Sequence, residues 1–463
     1  MRRYRRYLLP FYLMLGACMP VSPTDTATRA AAATSSVDSG LPPMKSFSVP
    51  RPAAPVASNS DIARDFLDLA FSLESGRPLK TLTRFEGPIT VRVTGAPPAS
   101  LGPDLKRLLH RLRAEAGINI ALSNSANANI TVQAVSRADI RKALPQAACF
   151  VVPNVTSLAE YKASRRTAKV NWSRLTDRKR LSIFLPNDAS PQEVRDCLHE
   201  ELAQALGPLN DLYRLPDSVF NDDNVHTVLT GYDMLILRAY YDPALRNGMS
   251  RSEAADRLPG ILARINPRGQ NVAPRRLQRT PRVWIEAVQT ALGPGANPAQ
   301  RKQAAVEALK VATAMGWTDH RRAFSHYAMG RLLQGSDLEA AQDHFVLSQR
   351  FFGNGRDTAL HRAYVASQLA AYAISAGRAD DALFLLTPHL DTAARHENAA
   401  LLATLMMLRA EALDLAGRIT EAREVRLDSL GWARYGFGSD WAVRAKLREI
   451  SSLSPAKRRR GAL

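Results

Sequence analysis

One short run carries the densest chemistry in this chain: Glu200-Glu201-Leu202-Ala203-Gln204-Ala205-Leu206-Gly207-Pro208-Leu209-Asn210-Asp211. If it is helical up to the glycine, Glu200 and Gln204 lie one turn apart and project together, with Glu201 to one side. A carboxylate at 201 has the chemistry of a general base. The groups around it (a carboxylate at 200, amides at 204 and 210, a carboxylate at 211) offer oxygen rather than nitrogen. Amide oxygens are weak ligands for zinc and suit Ca²⁺ or Mg²⁺ better. Without a firmly held Lewis acid, bound water keeps a pKa too high for attack at neutral pH, and a glutamate alone does not replace that effect.

The spacing resembles the metzincin signature H-E-x-x-H-x-x-G-x-x-H, often followed by Asp. Glu201 stands at the general-base position, Gly207 at the turn glycine and Asp211 at the trailing Asp; Glu200, Gln204 and Asn210 stand where the imidazoles should be. The resemblance therefore implies a catalytic Glu201 only if the domain is active, and metal ligands Glu200, Gln204, Asn210 and Asp211 only if a metal binds. No cofactor is expected; a weakly held divalent metal is the alternative. A shifted frame beginning at His199-Glu200 needs a second His at 203, where Ala stands. A His199–His226 metal pair is the remaining nitrogen-based alternative. Val194, Leu198 and Ala205 share the helix face of Glu201, so the former active site reads as a polar hydrogen-bond network, with Asn210 and Asp211 binding turn amides.

The elements needed to position this run are legible as α/β. Ser60 is a plausible cap for a helix through Ile62, Phe66 and Phe71. Ile89–Thr94 alternates as a strand, and Leu105, Leu108, Leu109 and Leu112 follow at helical spacing before Gly117. Further strands are expected at 118–122, 130–135, 149–152, 169–172 and 181–185. Ser190-Pro191-Gln192-Glu193 reads as a capping box opening a helix that runs to Leu206 and stops at Gly207. Strand, long helix, several strands and a capped signature helix is the order of a metzincin N-terminal half.

Downstream, Asp217–Asp222 falls where metzincins place the Met-turn, with Phe220 near the methionine position, and Leu229–Leu237, containing Asp233, resembles the closing helix of matrixin-like domains. Residues 60–258 are also similar to an uncharacterised bacterial family, domain-of-unknown-function family 2927, through E-E-x-x-Q-x-L-G-x-x-N-D, the Phe-Asn-Asp turn and the Tyr-Asp-Pro segment. The fold class implied is an α/β (α+β) zincin-like domain with a mixed sheet and an active-site-type helix. Gly207, Phe220 and Asp233 are expected to be structural.

The first residues bear on compartment. Arg2, Arg3, Arg5 and Arg6 precede a short apolar run, Leu8–Leu15, that is too short to span a bilayer as a mature helix. Leu15-Gly16-Ala17-Cys18 resembles a bacterial lipobox, which implies a signal peptide over 1–18, lipidation at Cys18 and a place on the periplasmic face of the envelope, with Met19 favouring the outer membrane. Residues 19–59, rich in Pro, Ser, Thr and Ala, read as a disordered tether. Cys149 and Cys197 then remain as an even pair in an oxidising compartment, read as a disulfide, two buried thiols being the alternative.

Residues 259–298 read as a basic Pro/Arg-rich linker with one short helix near Trp284. Residues 299–452 form an all-α region of tetratricopeptide-like helical repeats. Its turns at Gly335, Gly377 and Gly417 each lead to a packing alanine (Ala341, Ala382, Ala422), the last two about forty residues apart. That period exceeds the usual ~34, so longer loops are expected. Residues 453–463 form a basic tail. The formal charge of +19 suggests anionic envelope polymers rather than nucleic acid, for which no motif is present. No G-x-S-x-G elbow, phosphate loop or dinucleotide fingerprint occurs. The expectation is a lipid-anchored protein, held to the membrane at Cys18. Its zincin-like domain is non-catalytic, and its repeats bind a protein partner. A hydrolase with oxygen ligands and a cell-wall-polymer binder are the alternatives.

Overall fold

Ser58, rather than Ser60, starts the first helix: its hydroxyl accepts the Asp61 amide, and α1 (Asn59–Ala70) buries Ile62, Phe66 and Leu69. The structure, a computed structural model, describes residues 40–47, 52–455 and 457. The expected signal peptide over 1–18 and the expected lipidation site Cys18 lie outside the described residues. The chain continues through β1 (Ile89–Gly95), α2 (Leu101–Ala116), β2 (Ile120–Leu122), β3 (Ile130–Val135), α3 (Arg137–Ala143), β4 (Phe150–Pro153), α4 (Leu158–Ser164) and β5 (Leu181–Pro186). The helix α2 ends where expected, at Gly117 in the left-handed region (φ 70°), a conformation that costs glycine least.

The strands form one sheet in the order β2-β1-β3-β5-β4, parallel throughout except for β4, which runs antiparallel to β5 at the edge. All of β4 and β5 is buried, as befits a sheet covered on both faces. The strand expected at 169–172 is absent. Two single 3₁₀ turns, Ala168–Val170 and Trp172–Arg174, replace it, because the Asn171 side chain accepts the Ser173 amide and diverts the backbone from pairing.

The signature helix is α5 (Pro191–Leu206), followed by α6 (Gly231–Tyr240) and α7 (Arg251–Ile265). Ser190 caps α5 through the Glu193 amide, with Pro191 in the first turn. Only half of the expected capping box forms, since the Glu193 carboxylate turns to Arg137 at 2.7 Å. The disulfide Cys149–Cys197 is present, Cα–Cα 5.9 Å, and ties α5 to the start of β4.

The all-helical part comprises α8 (Arg282–Leu292), α9 (Pro298–Ala314), α10 (His320–Leu333), α11 (Leu338–Phe352), α12 (Ala359–Ser375), α13 (Ala379–Arg395), α14 (Ala399–Leu415), α15 (Ile419–Phe437) and α16 (Asp440–Ser451). The pairs α8/α9, α10/α11, α12/α13 and α14/α15 pack closely. Ala341, Ala382 and Ala422 are buried as expected. The long period comes from both sources: α12, α13 and α14 have 17 residues each, and residues 353–358 form a longer connection between α11 and α12, as expected, whereas the α13–α14 turn is short.

Three further expectations change. Trp284 is fully buried and donates its indole N–H to Ser325 Oγ at 2.9 Å, so α8 opens the helical array instead of lying in a linker. Of the expected tether, residues 41–47 pack on the array: Phe47 stacks on Trp432 with centroids 4.5 Å apart, and the Lys45 amide donates to the Gly431 carbonyl. One aromatic ring is enough to seat a segment otherwise poor in large apolar residues. In the basic tail, Lys457 Nζ lies 2.6 Å from the buried Glu411 carboxylate. The described residues from Leu41 onward belong to one compact unit. Among the described residues no helix is long and apolar enough to cross a membrane.

Candidate functional site

The C-terminal end of α5 is held by a buried cation. Arg178 donates to the carbonyls of Gln204 (2.6 Å) and Ala205 (2.8 Å), and also to that of Gly207. These are helix-end acceptors that lack an intrahelical partner. Gly207 follows, and a Cβ there would sit 3.0 Å from the Tyr240 ring, so the residue allows α6 to approach α5. On the far side of the loop, Asp233 accepts from Ser218 Oγ, the Val219 amide (3.1 Å) and the Thr230 amide (2.7 Å), completing a capping box on α6. That network fixes the Asp217–Phe220 turn, and Phe220 is buried in the main core beneath it. Gly207, Phe220 and Asp233 thus occupy structural positions.

With its end fixed, α5 turns Glu200, Glu201 and Gln204 towards a cavity of ≈ 1670 Å³. The opposite wall is the helical array: Gln289 of α8, Phe324, Tyr327 and Arg331 of α10, and His361 and Tyr364 of α12. Glu74, Trp172, Tyr213, Asp222 and Asp223 close the sides. Bonds between its two walls hold them together. Gln289 Nε2 donates to Asp222 at 2.8 Å, the His361 ring meets Asp223 at 2.8 Å, and the His320 ring meets the Tyr213 carbonyl at 2.7 Å.

The carboxyl groups here are crowded, with Glu201 buried, Glu200, Asp211 and Asp222 half-buried and Glu74 exposed at the edge. Burial, then the neighbouring Glu74 and Asp222 charges, pushes Glu200 up to about 8. Burial, then Glu200 and Glu74, holds Glu201 well above the usual carboxylate range. Asp211 is raised in the same way by burial and the Glu74 charge, and Glu74 and Asp222 are raised by burial. Glu200, at about 8, therefore keeps its proton at neutral pH, and a protonated acid donates a hydrogen bond and makes a poor base. Gln204 Nε2 lies 3.3 Å from Glu74 Oε1. Glu201 Oε2 is buried without a hydrogen-bond partner.

The residues at the three ligand positions do not converge. Glu200 and Gln204 share the cavity, whereas Asn210 is turned to the α1 end, its Nδ2 donating to the Asp68 carbonyl at 2.9 Å. His199 also faces elsewhere: its Nδ1 accepts the Leu229 amide at 3.1 Å, and it lines a small polar pocket with Arg111 and Arg195. His226 instead bonds the Pro216 carbonyl at 2.9 Å. Glu74, Asp222, Tyr213, Trp172 and Arg178 were not legible as site residues. They come from separate elements and share no local motif with α5.

Residues 59–260 match the profile of a family described as protein of unknown function (DUF2927). No curated protein and no solved structure matches the chain.

Proposed function

We propose that this protein is a non-catalytic member of its family. In this reading a zincin-like domain has lost its zinc chemistry, and the tetratricopeptide-like array roofs the former cleft to make a binding chamber for a protein segment. The observation that carries this is the pairing of Glu200, Glu201 and Gln204 with the helical wall across one cavity. Acids held protonated in that cavity ionise when an ammonium or guanidinium group arrives, so a lysine- or arginine-bearing segment is the favoured guest. Tyr213, Phe324 and Tyr327 offer aromatic faces for its aliphatic stem. The lipobox at Cys18 supports a place on the periplasmic face of the envelope, with the outer membrane favoured.

Titration of the full chain with oligolysine and oligoglutamate tests the reading. Oligolysine should bind, and Glu200→Gln with Glu201→Gln should weaken it at least ~10-fold, as expected for loss of about 1.4 kcal/mol or more. Equal binding of both peptides, or equal binding by the variant, overturns it.

A second reading is a divalent-metal hydrolase with oxygen ligands, favoured by the unpartnered Glu201 Oε2. Protein prepared without chelator should then hydrolyse a peptide in a metal-dependent way that Glu201→Gln abolishes. A third reading, binding of anionic wall polymers by the basic segment, needs free arginines. Arg275 pairs with Asp357, and Arg282 with Glu286 at 3.0 Å, which leaves less charge for such a polymer. Its affinity would have to fall steeply with salt.

A further inference from the structure

Away from the α5 face of the chamber, three classical metal donors meet at the seam between the family domain and the array. Asp217 and His226 come from the loop between α5 and α6, and His396 from the turn after α13; one ligand atom of each lies within 4.8 Å of the other two. The His226 and His396 rings meet edge-on with centroids 5.3 Å apart. His226 Nε2 stands 3.9 Å from Asp217 Oδ1 and 2.9 Å from the Pro216 carbonyl oxygen. The His226 side chain is 2% exposed and that of Asp217 26%, so the group is shielded yet reachable from solvent.

We propose that Asp217, His226 and His396 form a transition-metal site, with zinc the best-suited ion, that clasps the helical array to the family domain. Two imidazoles and one carboxylate favour Zn²⁺ over Mg²⁺ or Ca²⁺, and three protein ligands leave one position for water. Zinc bonds of ~2.0–2.2 Å require the donors to draw together by up to about 1.4 Å, a change within reach of side-chain rotation at a loop and a helix end. The loop that supplies Asp217 and His226 also supplies Asp222 and Asp223 to the chamber wall. The ion would therefore hold that wall against the array. The site is separate from the Glu200–Gln204 face and does not depend on what the chamber binds.

The test uses the full chain, stripped with chelator and titrated with Zn²⁺, with Mg²⁺ as control, against a competing chromophoric chelator. One zinc per chain is expected, with no response to Mg²⁺ at the same concentrations. Asp217→Asn and His396→Gln should each weaken zinc at least about 10-fold, since even outer-sphere changes at metal sites reach that size. Zinc should raise the melting temperature of the wild type and of Glu201→Gln but not of His396→Gln. No zinc binding in the micromolar range overturns the proposal. So does unchanged binding in both ligand variants, and a site lost in Glu201→Gln instead would place the ion on the α5 face.

Discussion

Arg195, two and a half turns before Gln204 on α5 at about 3.6 residues per turn, lies 3.2 Å from the Glu397 carboxylate at the α13–α14 turn, with side chains 1% and 8% exposed. The guanidinium also donates to the Glu397 carbonyl and packs on the Tyr435 ring (5.1 Å) and the Phe47 ring (5.6 Å). One cation thus joins the signature helix, the array and the 41–47 segment. Replacing it should leave Glu397 buried and unpaired, so Arg195→Met is expected to cost about 3–5 kcal/mol in urea unfolding. The double change with Glu397→Leu should recover much of that loss. A single-variant cost below about 1 kcal/mol would show that the seam tolerates the orphaned charge.

Arg178 is a second buried cation, and its guanidinium donates to the α5 C-terminal carbonyls and to Thr83 Oγ1. Arg178→Met should destabilise the fold by about 3 kcal/mol or more, because several buried acceptors lose their donor together. Chemical denaturation reads this directly. A near-neutral result would mean that water replaces the guanidinium.

Reduction of Cys149–Cys197, which closes a loop of sequence separation 48, should lower stability by about 4 kcal/mol on the chain-entropy view. Urea curves with and without reductant measure it. The Cys149→Ser, Cys197→Ser double variant should match the reduced protein and show no further response to reductant.

The acid cluster sets a pH dependence with a definite sign. Burial raises Glu200 to about 8 in the fold, against an ordinary value of 4.5. Between those values the folded state keeps a proton that the unfolded chain releases, so stability falls as pH rises. Burial lowers His226 to about 4 and His396 to about 3, and both contribute the opposite slope only below 6.5. The clean window is therefore pH 6.5 to 8. There the unfolding free energy should drop by up to about 1.4 kcal/mol per pH unit for each proton retained. Glu200→Gln should flatten this slope. A rising or flat wild-type curve would mean that the carboxyls are ionised in the fold.

What the sequence determined by itself was local. Periodicity marked all five observed strands to within two residues at each boundary. The Ser190 cap and Gly207 bounded α5, and the turn-plus-alanine pattern marked the array. These features depend on a few neighbouring residues, and their physics is backbone propensity and one-sided burial. With Cys18 set aside by the lipobox reading, Cys149 and Cys197 remained as the one pair that could bond, and they do. Even the local signals failed where a side chain captured its own backbone, as Asn171 did, or where a partner outside the motif won, as Arg137 did for Glu193. Only the tertiary structure decided the site. Asn210 left the ligand set for the Asp68 carbonyl, while Glu74 and Asp222 joined Glu200 from loops distant in sequence. Trp284 and Phe47 became core and contact residues because the array offered them a surface. Burial and mutual repulsion then shifted the carboxyls, and those effects exist only once segments far apart in sequence share one cavity.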